Sequence, residues 1–455
     1  MIETVTLHWT TRRYCLHAHN GFIGESLKPV GPNSSSAMSD EEYVIPPGGG
    51  VPWRDLTMDE RNRPADRDLE ITGIETMALQ GNFTWGLVKI ETNGEHYGIG
   101  EVFVGQEALD IIERDAHLLV GENPLDVDRL SEHLEQNRTA TGTMGQAAFS
   151  AVQTALLDLK GKVVDLPVYE LLGGKYRDEV RIYCDTHGGE SLGQAQKRDP
   201  QEVYTPESYA RAAREVVDEG FDILKFDLDV RTHRSVDTAA RRLDNEAIEH
   251  KVSLVEGVRD EIGYDVDLAV DLHWNFTAET AIRLVDKLEP FDLAWIEDPV
   301  PPKRIEAHRR ITETSTTPIL TGENAVTVDG FNDLVTENAL DIAAPDVNRC
   351  GGLWELRKIA TICDLYGVPL APHNIASPVG TIGGVHAMAA MPNVIALEYH
   401  ARDVPWWADL VTRTGESGPI IEDGTVTVPE GPGLGIEIDP DVAAEHLTDD
   451  SELFF

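Results

Sequence analysis

Acidic side chains recur at the ends of short apolar segments in the middle of this sequence. Glu297 lies 26 positions after Asp271, and Glu323 lies 26 positions after Glu297. A single carboxylate in such a place can be a hydrogen-bonded core residue. Three on successive strands would repel one another at a cost on the order of several kcal/mol each, unless a cation lay between them. The spacing therefore predicts a metal site.

The ligands of this predicted site are all carboxylate oxygens. Oxygen ligands favour a hard cation over zinc, and Mg²⁺ keeps coordination positions for substrate oxygens. We expect Mg²⁺, with Mn²⁺ and Ca²⁺ as alternatives. His273 lies two positions after Asp271, so on a strand the two side chains point to the same face. His273 is expected beside the metal, as an acid or base rather than as a ligand.

Eight short apolar segments, separated by helical stretches, follow one another between Val180 and Arg402. In chain order they are VRIYCDT, FDILKFDLD, VDLAVDLHW, DLAWIEDP, PILTGEN, ALDIAAPDV, VPLAPHN and VIALEYH. This alternation is typical of parallel βα units, and eight of them predict a closed α/β barrel. The alternative is an open doubly wound sheet, which is disfavoured because no Gly-rich phosphate loop follows the first segment.

Six of these segments end in an ionisable residue. The set consists of Asp271 with His273, Glu297, Glu323, Asp346, His373 and Glu398. The carboxyl ends of the strands of a barrel open into one mouth, where the active sites of such proteins form. We therefore expect these side chains to converge.

The chain before the barrel segments has a different pattern. ITGIETMAL and TWGLVKIET alternate in hydrophobicity, Asn93-Gly94 predicts a turn before YGIGEVF, and helical stretches follow. We interpret residues 69–179 as an α+β domain and residues 180–402 as the barrel. Residues 403–455 read as strands and turns that return to the first domain.

Residues 1–68 are interpreted as an N-terminal extension that is partly disordered. Residues 1–37 lack the acidity of the following chain, and Met38 precedes Ser-Asp-Glu-Glu, so Met38 is a plausible true start. The Pro/Gly-rich run IPPGGGVP after it predicts a loop. A packed domain is expected from about Leu69.

Composition excludes several classes of partner. The formal net charge of −42 opposes binding to nucleic acid and to anionic membranes, and no apolar stretch reaches 18 residues. The four cysteines show no CxxC spacing and no leader precedes a cleavage-like site, which favours a cytoplasmic setting. The dispersed acidity indicates adaptation to a high-salt cytoplasm, with an acidic protein of ordinary cytosol as the alternative.

The stretch from VDLHWNF to WIEDP resembles the mandelate racemase and muconate lactonizing enzyme signature of the enolase superfamily. Asp271-x-His273, Ala281, Leu288 and Ile296-Glu297-Asp298-Pro299 carry the likeness. QAAFSAVQTALLDLKGKVVDLPVYELLGG and GPGLGIEID are also similar to segments of that family. The resemblance covers about Leu69 to Pro440. It implies an α+β capping domain over a modified TIM barrel, (β/α)7β, with Asp271, Glu297 and Glu323 as metal ligands and abstraction of a proton α to a carboxylate.

The resemblance also implies roles for individual residues. A His-Asp dyad, here His373 of PHN and Asp346 of PDV, is the base of the family's racemases and sugar-acid dehydratases. His273 resembles the dehydratase histidine that protonates the departing 3-hydroxyl. Lys225 would neutralise a substrate oxygen, and Glu398 would lie near the enediolate. Apart from the resemblance, general chemistry also calls for a cation: the proton next to a carboxylate can be removed only if a divalent cation or a similar group stabilises the resulting enediolate.

Two departures from the family's sequence patterns disfavour some of its reaction classes. Lys225-Phe226-Asp227 stands where racemases have Lys-x-Lys, so a two-base racemase is disfavoured and Asp227 becomes a candidate substrate-binding residue. Asp346 stands where cycloisomerases and dipeptide epimerases have a lysine, which disfavours those classes too.

Loops of the capping domain should contact the distal end of the substrate. Asn82 and Trp85 of GNFTW, with Phe83 between them, and the stretch NRTATGTMG from Asn137 are candidates, although the aromatic side chains are expected mainly to pack. Burial is likewise expected for the pair Trp406-Trp407.

The sequence thus predicts a lyase, a Mg²⁺-dependent dehydratase that converts an aldonic acid of the gluconate, galactonate or xylonate class to a 2-keto-3-deoxy acid through an enediolate. The enzymatic alternatives are an aldarate dehydratase and a one-base acid-sugar epimerase. A catalytically silent metal-binding scaffold is the alternative from another class. The expected partner is a small-molecule sugar acid, and a homo-oligomer is expected because barrels of this family commonly associate.

Overall fold

The computed structural model describes six stretches of the chain. They are residues 68–102, 105–136, 142–188, 203–230, 241–415 and 417–455. The predicted extension, apart from Asp68, the IPPGGGVP loop and residues 137–141 of the NRTATGTMG stretch lie outside the described residues.

Three antiparallel strands begin the described chain, in the order β1 (Ile71–Gln80), β2 (Thr84–Thr92) and β3 (Gly98–Val102). They coincide with the alternating segments that the sequence predicts as strands. Four helices follow: α1 (Gln106–Asp115), α2 (Val127–Gln136), α3 (Gly142–Val164) and α4 (Val168–Leu171). The Ala-rich helix α3 is buried along most of its length and packs on β3. This sheet and its helices form the cap.

Two glycines of β3 allow this close contact with α3. A Cβ atom on Gly98 would lie 2.0 Å from the carbonyl oxygen of Ala155, and one on Gly100 would lie 2.2 Å from that of Ala151. We expect Gly100→Ala to lower the free energy of unfolding by about 1–3 kcal/mol, because strand and helix must separate to admit a methyl group. Urea titration measures the change. Gly73→Ala in β1, where the added Cβ would meet only Glu91 Oε2 at 3.6 Å, gauges the effect of a glycine replacement alone. Equal stability of Gly100→Ala and the wild type would contradict the close approach.

Strands and helices alternate after the cap. The strands are β4 (Glu179–Asp185), β5 (Ile223–Asp227), β6 (Asp267–Asp271), β7 (Trp295–Glu297), β8 (Ile319–Thr321), β9 (Ile342–Ala343) and β10 (Leu397–Tyr399). The helices are α5 (Pro206–Asp218), α6 (Asn245–Ile262), α7 (Ala278–Leu288), α8 (Ile305–Thr312), α9 (Thr327–Thr336), α10 (Leu353–Leu365) and α11 (Pro378–Ala389).

These strands are parallel and pair in the order β10-β4-β5-β6-β7-β8-β9. The segment VPLAPHN, predicted as the seventh strand, instead contributes isolated bridges from Leu370 to Ala343 and to Val394. Pro369 and Pro372 flank these positions and have no backbone N–H to donate, which keeps a continuous ladder from forming. The bridges link β9 to the segment that leads into β10. The fold class, a modified TIM barrel with a separate antiparallel cap, is confirmed.

Apolar side chains fill the interior of the barrel. This cluster consists of Tyr183, Ile223, Ala269, Trp295, Leu320, Ile342, Ala344, Ala371 and Ala396. Side chains along a strand alternate between its two faces, so the residue two positions later also points inward, nearer the carboxyl end. The residues two positions after Ile223, Ala269, Trp295 and Ala396 are Lys225, Asp271, Glu297 and Glu398. The barrel core therefore places these polar groups in its mouth.

The C-terminal segment contacts both the barrel and the cap. It contains β11 (Val411–Arg413), β12 (Thr425–Thr427), β13 (Ile436–Ile438) and α12 (Pro440–Glu445). Strand β12 pairs antiparallel with β4, and β11 pairs with β13. Toward the cap, the backbone N–H of Gln80 donates to His446 O at 2.8 Å. Throughout the described stretches, every helix is too short or too polar to cross a membrane.

Candidate active site

Three carboxylates meet at the carboxyl ends of neighbouring strands. Asp271 ends β6 and lies in register with Glu297, which ends β7, while Glu323 follows β8 by two residues. One carboxylate oxygen from each lies within 4.8 Å of the others, and all three residues are buried. The structure thus brings together the predicted metal ligands.

The electrostatics of this carboxylate cluster suit a divalent cation. Burial and the nearby carboxylates of Asp271 and Glu398 raise the pKa of Glu297 well above its usual value, although Lys225 opposes the shift. Within the described structure, Glu297 Oε1 is buried without a hydrogen-bond partner. A buried carboxylate oxygen with no donor, in an all-oxygen set, fits a hard cation. These three residues could hold a metal.

Lys225 is buried among the same acids. Its Nζ lies 3.1 Å from Asp271 Oδ2, 3.1 Å from Glu297 Oε2 and 2.7 Å from Glu398 Oε1. Burial by itself disfavours the charged ammonium, yet the surrounding carboxylates raise the pKa of Lys225 well above its usual value. A fixed positive charge therefore lies beside the carboxylate cluster.

His373 and Asp346 form a hydrogen-bonded dyad. Nδ1 of His373 lies 2.5 Å from Asp346 Oδ2, while Oδ1 of Asp346 accepts the N–H of Asn348 at 2.8 Å. The other ring nitrogen, Nε2, lies 3.5 Å from Glu323 Oε2. Burial lowers the basicity of the imidazole, but Glu323, Glu398 and Asp346 together raise the pKa of His373 to about 10.

His273 lies on the other side of the carboxylate cluster. Its backbone N–H donates to Asp271 Oδ1 at 2.8 Å, and its Nε2 lies 3.6 Å from Asp271 Oδ2. The side chain is 34% exposed, so it reaches the mouth. Burial disfavours its charged form, but Asp271, Asp229 and Asp227 raise the pKa of His273 to about 12. These carboxylates therefore favour the protonated imidazole.

Sequence reasoning missed the partner of His273. Nδ1 of His273 lies 3.2 Å from Asp229 Oδ1, and Asn275 donates to Asp229 Oδ2 at 2.7 Å. Asp229 lies two residues past the end of β5. The Asp-x-Asp pattern of residues 227–229 is a signal that could have identified it. Asp227 itself is 3.9 Å from His273 Nδ1, and its Oδ1 is buried without a hydrogen bond to any described residue.

A second group of polar side chains was also missed. Asp185, His187 and His400 offer ligand atoms within 4.8 Å of one another and are buried. Asp185 Oδ2 also lies 3.4 Å from Lys225 Nζ, which joins this group to the carboxylate cluster. Asp185 follows the core residue Tyr183 by two positions, so the alternation that identifies Asp271 would have found it.

The predicted cap residues divide into two kinds. Asn82 reaches the barrel, since its Nδ2 donates to the carbonyl oxygen of His400 at 2.9 Å. Trp85 is buried, and its indole N–H donates to Ile375 O at 3.1 Å. Trp407 is also buried and donates to Ala376 O at 3.1 Å, while Trp406 stacks on His446. The indole groups of Trp85 and Trp407 thus bind the backbone, as packing residues do.

Glu398 links the two sides of the mouth. Besides its contact with Lys225, its Oε2 accepts the backbone N–H of Asn374 at 3.0 Å and lies 3.9 Å from His373 Nε2. All the predicted catalytic residues and metal ligands therefore belong to one connected group of side chains.

Two family models match this chain. Residues 72–173 match the mandelate racemase/muconate lactonizing enzyme N-terminal domain, and residues 208–442 match the enolase C-terminal domain-like model. A D-xylonate dehydratase of Haloferax volcanii is 42% identical over 425 residues, which cover 92% of this chain and 99% of the relative. A D-gluconate dehydratase of Thermoproteus tenax is 29% identical over 374 residues, or 81% of this chain and 70% of the relative.

Solved structures show the same likeness. A mandelate racemase/muconate lactonizing enzyme-like protein of Rubrobacter xylanophilus superposes with a TM-score of 0.79 at 37% identity, covering 85% of this chain and 99% of that one. The relatives from Haloferax volcanii and Thermoproteus tenax are named as dehydratases, which are hydro-lyases. With both family models matched in chain order, the chain belongs to the mandelate racemase/muconate lactonizing enzyme family of the enolase superfamily.

Proposed function

We propose that this enzyme is a hydro-lyase that removes water from an aldonic acid, with Mg²⁺ as cofactor, and forms a 2-keto-3-deoxy acid. One observation carries the proposal: two imidazoles flank the same carboxylate cluster, His273 beside Asp271 and His373 beside Glu323. A base and an acid so placed can act on adjacent carbons of one bound substrate.

Asp271, Glu297 and Glu323 are the residues that would hold Mg²⁺. When bound, the cation supplies positive charge that stabilises the enediolate formed from the substrate carboxylate. Mn²⁺ would suit the same oxygen ligands.

His373 takes the proton from C2. Its dyad partner Asp346 accepts at Nδ1, which fixes the tautomer. A cation held by Glu323, whose Oε2 lies 3.5 Å from Nε2, would offset the carboxylate charge that favours the protonated imidazole, so that Nε2 can act as the base. The electron pair of the broken C2–H bond enters the enediolate. Lys225 neutralises a developing oxygen charge, and Glu398, within 2.7 Å of Lys225, keeps that ammonium in place.

His273 gives a proton to the 3-hydroxyl as the C3–O bond breaks. Hydroxide is a poor leaving group, so this proton lets water depart instead. Asp229 orients the ring through Nδ1, which leaves Nε2 for the substrate. The resulting enol takes up a proton and becomes the 2-keto-3-deoxy acid. Asn82 and Asp227 are proposed to contact the distal hydroxyls.

A substrate screen tests this proposal. We expect the purified protein, assayed with Mg²⁺ at high KCl, to form a 2-keto-3-deoxy acid from one or more aldonates. D-Xylonate is tested first because the relative at 42% identity is named for it, followed by gluconate and galactonate. A colorimetric assay for 2-keto-3-deoxy acids detects the product, and a reaction with EDTA is the control.

Other outcomes of the screen would revise the proposal. Undiminished turnover in EDTA would remove the cation from the mechanism. Product from aldarates alone would make the enzyme an aldarate dehydratase, and a C2 epimer formed without loss of water would make it a one-base epimerase. The absence of turnover on every acid would support a silent scaffold. A cytoplasmic location, adaptation to high salt and a homo-oligomeric state stay predictions.

A further inference from the structure

The loop that carries His373 is anchored from outside the barrel. Residues 373–377 connect the seventh barrel position to α11. Two successive carbonyl groups of this loop accept indole N–H groups, Ile375 O from Trp85 of β2 and Ala376 O from Trp407 of the C-terminal segment. The cap and the C-terminal segment thus hold the middle of the loop.

Glu101 of β3 holds the end of the same loop. Its side chain is buried, and its Oε1 accepts the backbone N–H of Ser377 at 2.8 Å. Its Oε2 accepts the hydroxyl of Ser377 at 2.5 Å and the N–H of Gly380 at 2.8 Å. One carboxylate of the cap therefore binds the first turn of α11 through three hydrogen bonds, where helix N–H groups otherwise have no partner.

The path from Ser377 back to His373 is short and fixed at each step. Asn374, next to His373, donates its backbone N–H to Glu398 and its amide group to Thr381 Oγ1 at 2.9 Å. Because these hydrogen bonds restrain the loop, a displacement of Ser377 should also displace His373.

The buried position of Glu101 disfavours a charged carboxylate, so the presence of Glu at this position does not follow from stability alone. Burial raises the pKa of Glu101 to about 7, even though its hydrogen bonds to Ser377 and Gly380 oppose the shift. A neutral side chain would be cheaper to bury, but it would not offer two acceptor oxygens to three donors.

We propose that Glu101 is a positioning residue for His373: it holds the start of α11 so that Nδ1 of the imidazole stays on Asp346 and Nε2 stays in the mouth. The inference rests on the proposed role of His373 as the base. It gives the cap a second task besides contact with the substrate, since β3 then fixes the geometry of the proton transfer.

Glu101→Gln tests this role. Glutamine keeps the shape of the side chain, but its amide N–H₂ replaces one of the two oxygens that accept hydrogen bonds from Ser377 and Gly380. We expect kcat to fall about 10- to 100-fold, as a displacement near 1 Å can cause, with a much smaller change in KM. Exchange of the C2 proton with deuterated solvent should fall in parallel. Mg²⁺ affinity, measured by calorimetry, should stay within about twofold of wild type, because the ligands are on other strands.

Asp158→Asn is the matched control. Asp158 is an equally buried carboxylate of the cap that accepts two backbone N–H groups, those of Ile99 and Leu434, both at 2.8 Å. These partners do not belong to the His373 loop. We expect Asp158→Asn to lower the melting temperature but to keep kcat at a temperature where it is folded. An equal loss of kcat in both variants would show general destabilisation and overturn the proposal.

A substrate-free readout separates this inference from the proposed reaction. A short His-Asp hydrogen bond gives a strongly deshielded Nδ1 proton, visible by NMR. We expect this resonance to shift or broaden in Glu101→Gln and to persist in Asp158→Asn. If no acid is dehydrated by the wild type, the proposed reaction fails while this resonance still decides the positioning role.

A milder variant covers the case in which Glu101→Gln does not fold. Ser377→Ala removes the hydroxyl that donates to Glu101 and that caps α11 by accepting the Val379 N–H at 3.1 Å, and it leaves both backbone donors to Glu101. We expect a smaller loss of kcat in the same direction, with the same change in the Nδ1 proton. Wild-type kcat together with an unchanged resonance, in Glu101→Gln or in Ser377→Ala if the former is unfolded, would overturn the inference.

Discussion

Replacing Glu297 by Gln is expected to abolish the stimulation of activity by divalent metal. Glu297 is fully buried, in register with Asp271 and 3.1 Å from Lys225, and its replacement removes one of the three carboxylate ligands. We expect Mg²⁺ affinity to fall by more than about 100-fold, since even groups that only orient metal ligands are worth about 10- to 100-fold. Calorimetric titration with Mg²⁺ and turnover measured across Mg²⁺ concentrations give both values.

Asp341→Asn is the control for this experiment. Asp341 lies at the opposite end of the barrel, where its carboxylate accepts the N–H of Ile319, the first residue of β8. Residues at that end contribute to stability rather than to the mouth. The control should therefore keep wild-type metal affinity. Wild-type affinity and activity in Glu297→Gln would refute the metal assignment.

The two histidines are expected to separate proton abstraction from loss of water. His373→Asn should lose both dehydration and exchange of the C2 proton with deuterated solvent, because no described group replaces the imidazole on Asp346. His273→Asn should lose dehydration but keep part of the exchange, since the enediolate can still form and be reprotonated by His373. Each loss of dehydration should reach about 100- to 10,000-fold, the usual contribution of a general acid or base. Mass spectrometry of the recovered acid measures exchange and product together.

His386→Asn controls for the removal of a buried imidazole. His386 Nε2 lies 3.1 Å from the carbonyl oxygen of Leu434, away from the carboxylate cluster. This variant should lose stability and keep both reactions. The roles assigned to the two histidines would be reversed if exchange survived in His373→Asn and vanished in His273→Asn.

The barrel and the carboxylate cluster could be predicted because both follow from short-range patterns. A strand alternates its faces every two residues, and parallel strands end at one edge of the barrel. Ionisable residues at the ends of successive apolar segments therefore converge whatever the detailed packing. The rule gave Asp271, Glu297, Glu323 and His373. Applied to the first segment, it would also have given Asp185.

Partnerships between remote segments could not be predicted in this way. Asp229 contacts His273 because β5 and β6 pair in a register that aligns Asp227 with Asp271. The isolated bridges at Leu370 are a different case, because the two flanking prolines that remove backbone donors are visible in the sequence.

The sequence by itself thus indicated an α/β barrel, the ends of most of its strands and the chemical groups of the mouth, since periodicity and residue type are local properties; the modified (β/α)7β type was implied by the family resemblance. Only the tertiary structure decided which distant groups support them. Glu101 meets Ser377 across 276 positions, and Trp85 meets Ile375 across 290. No pattern in either segment encodes those contacts, because they exist only once the cap has docked on the barrel and buried both partners.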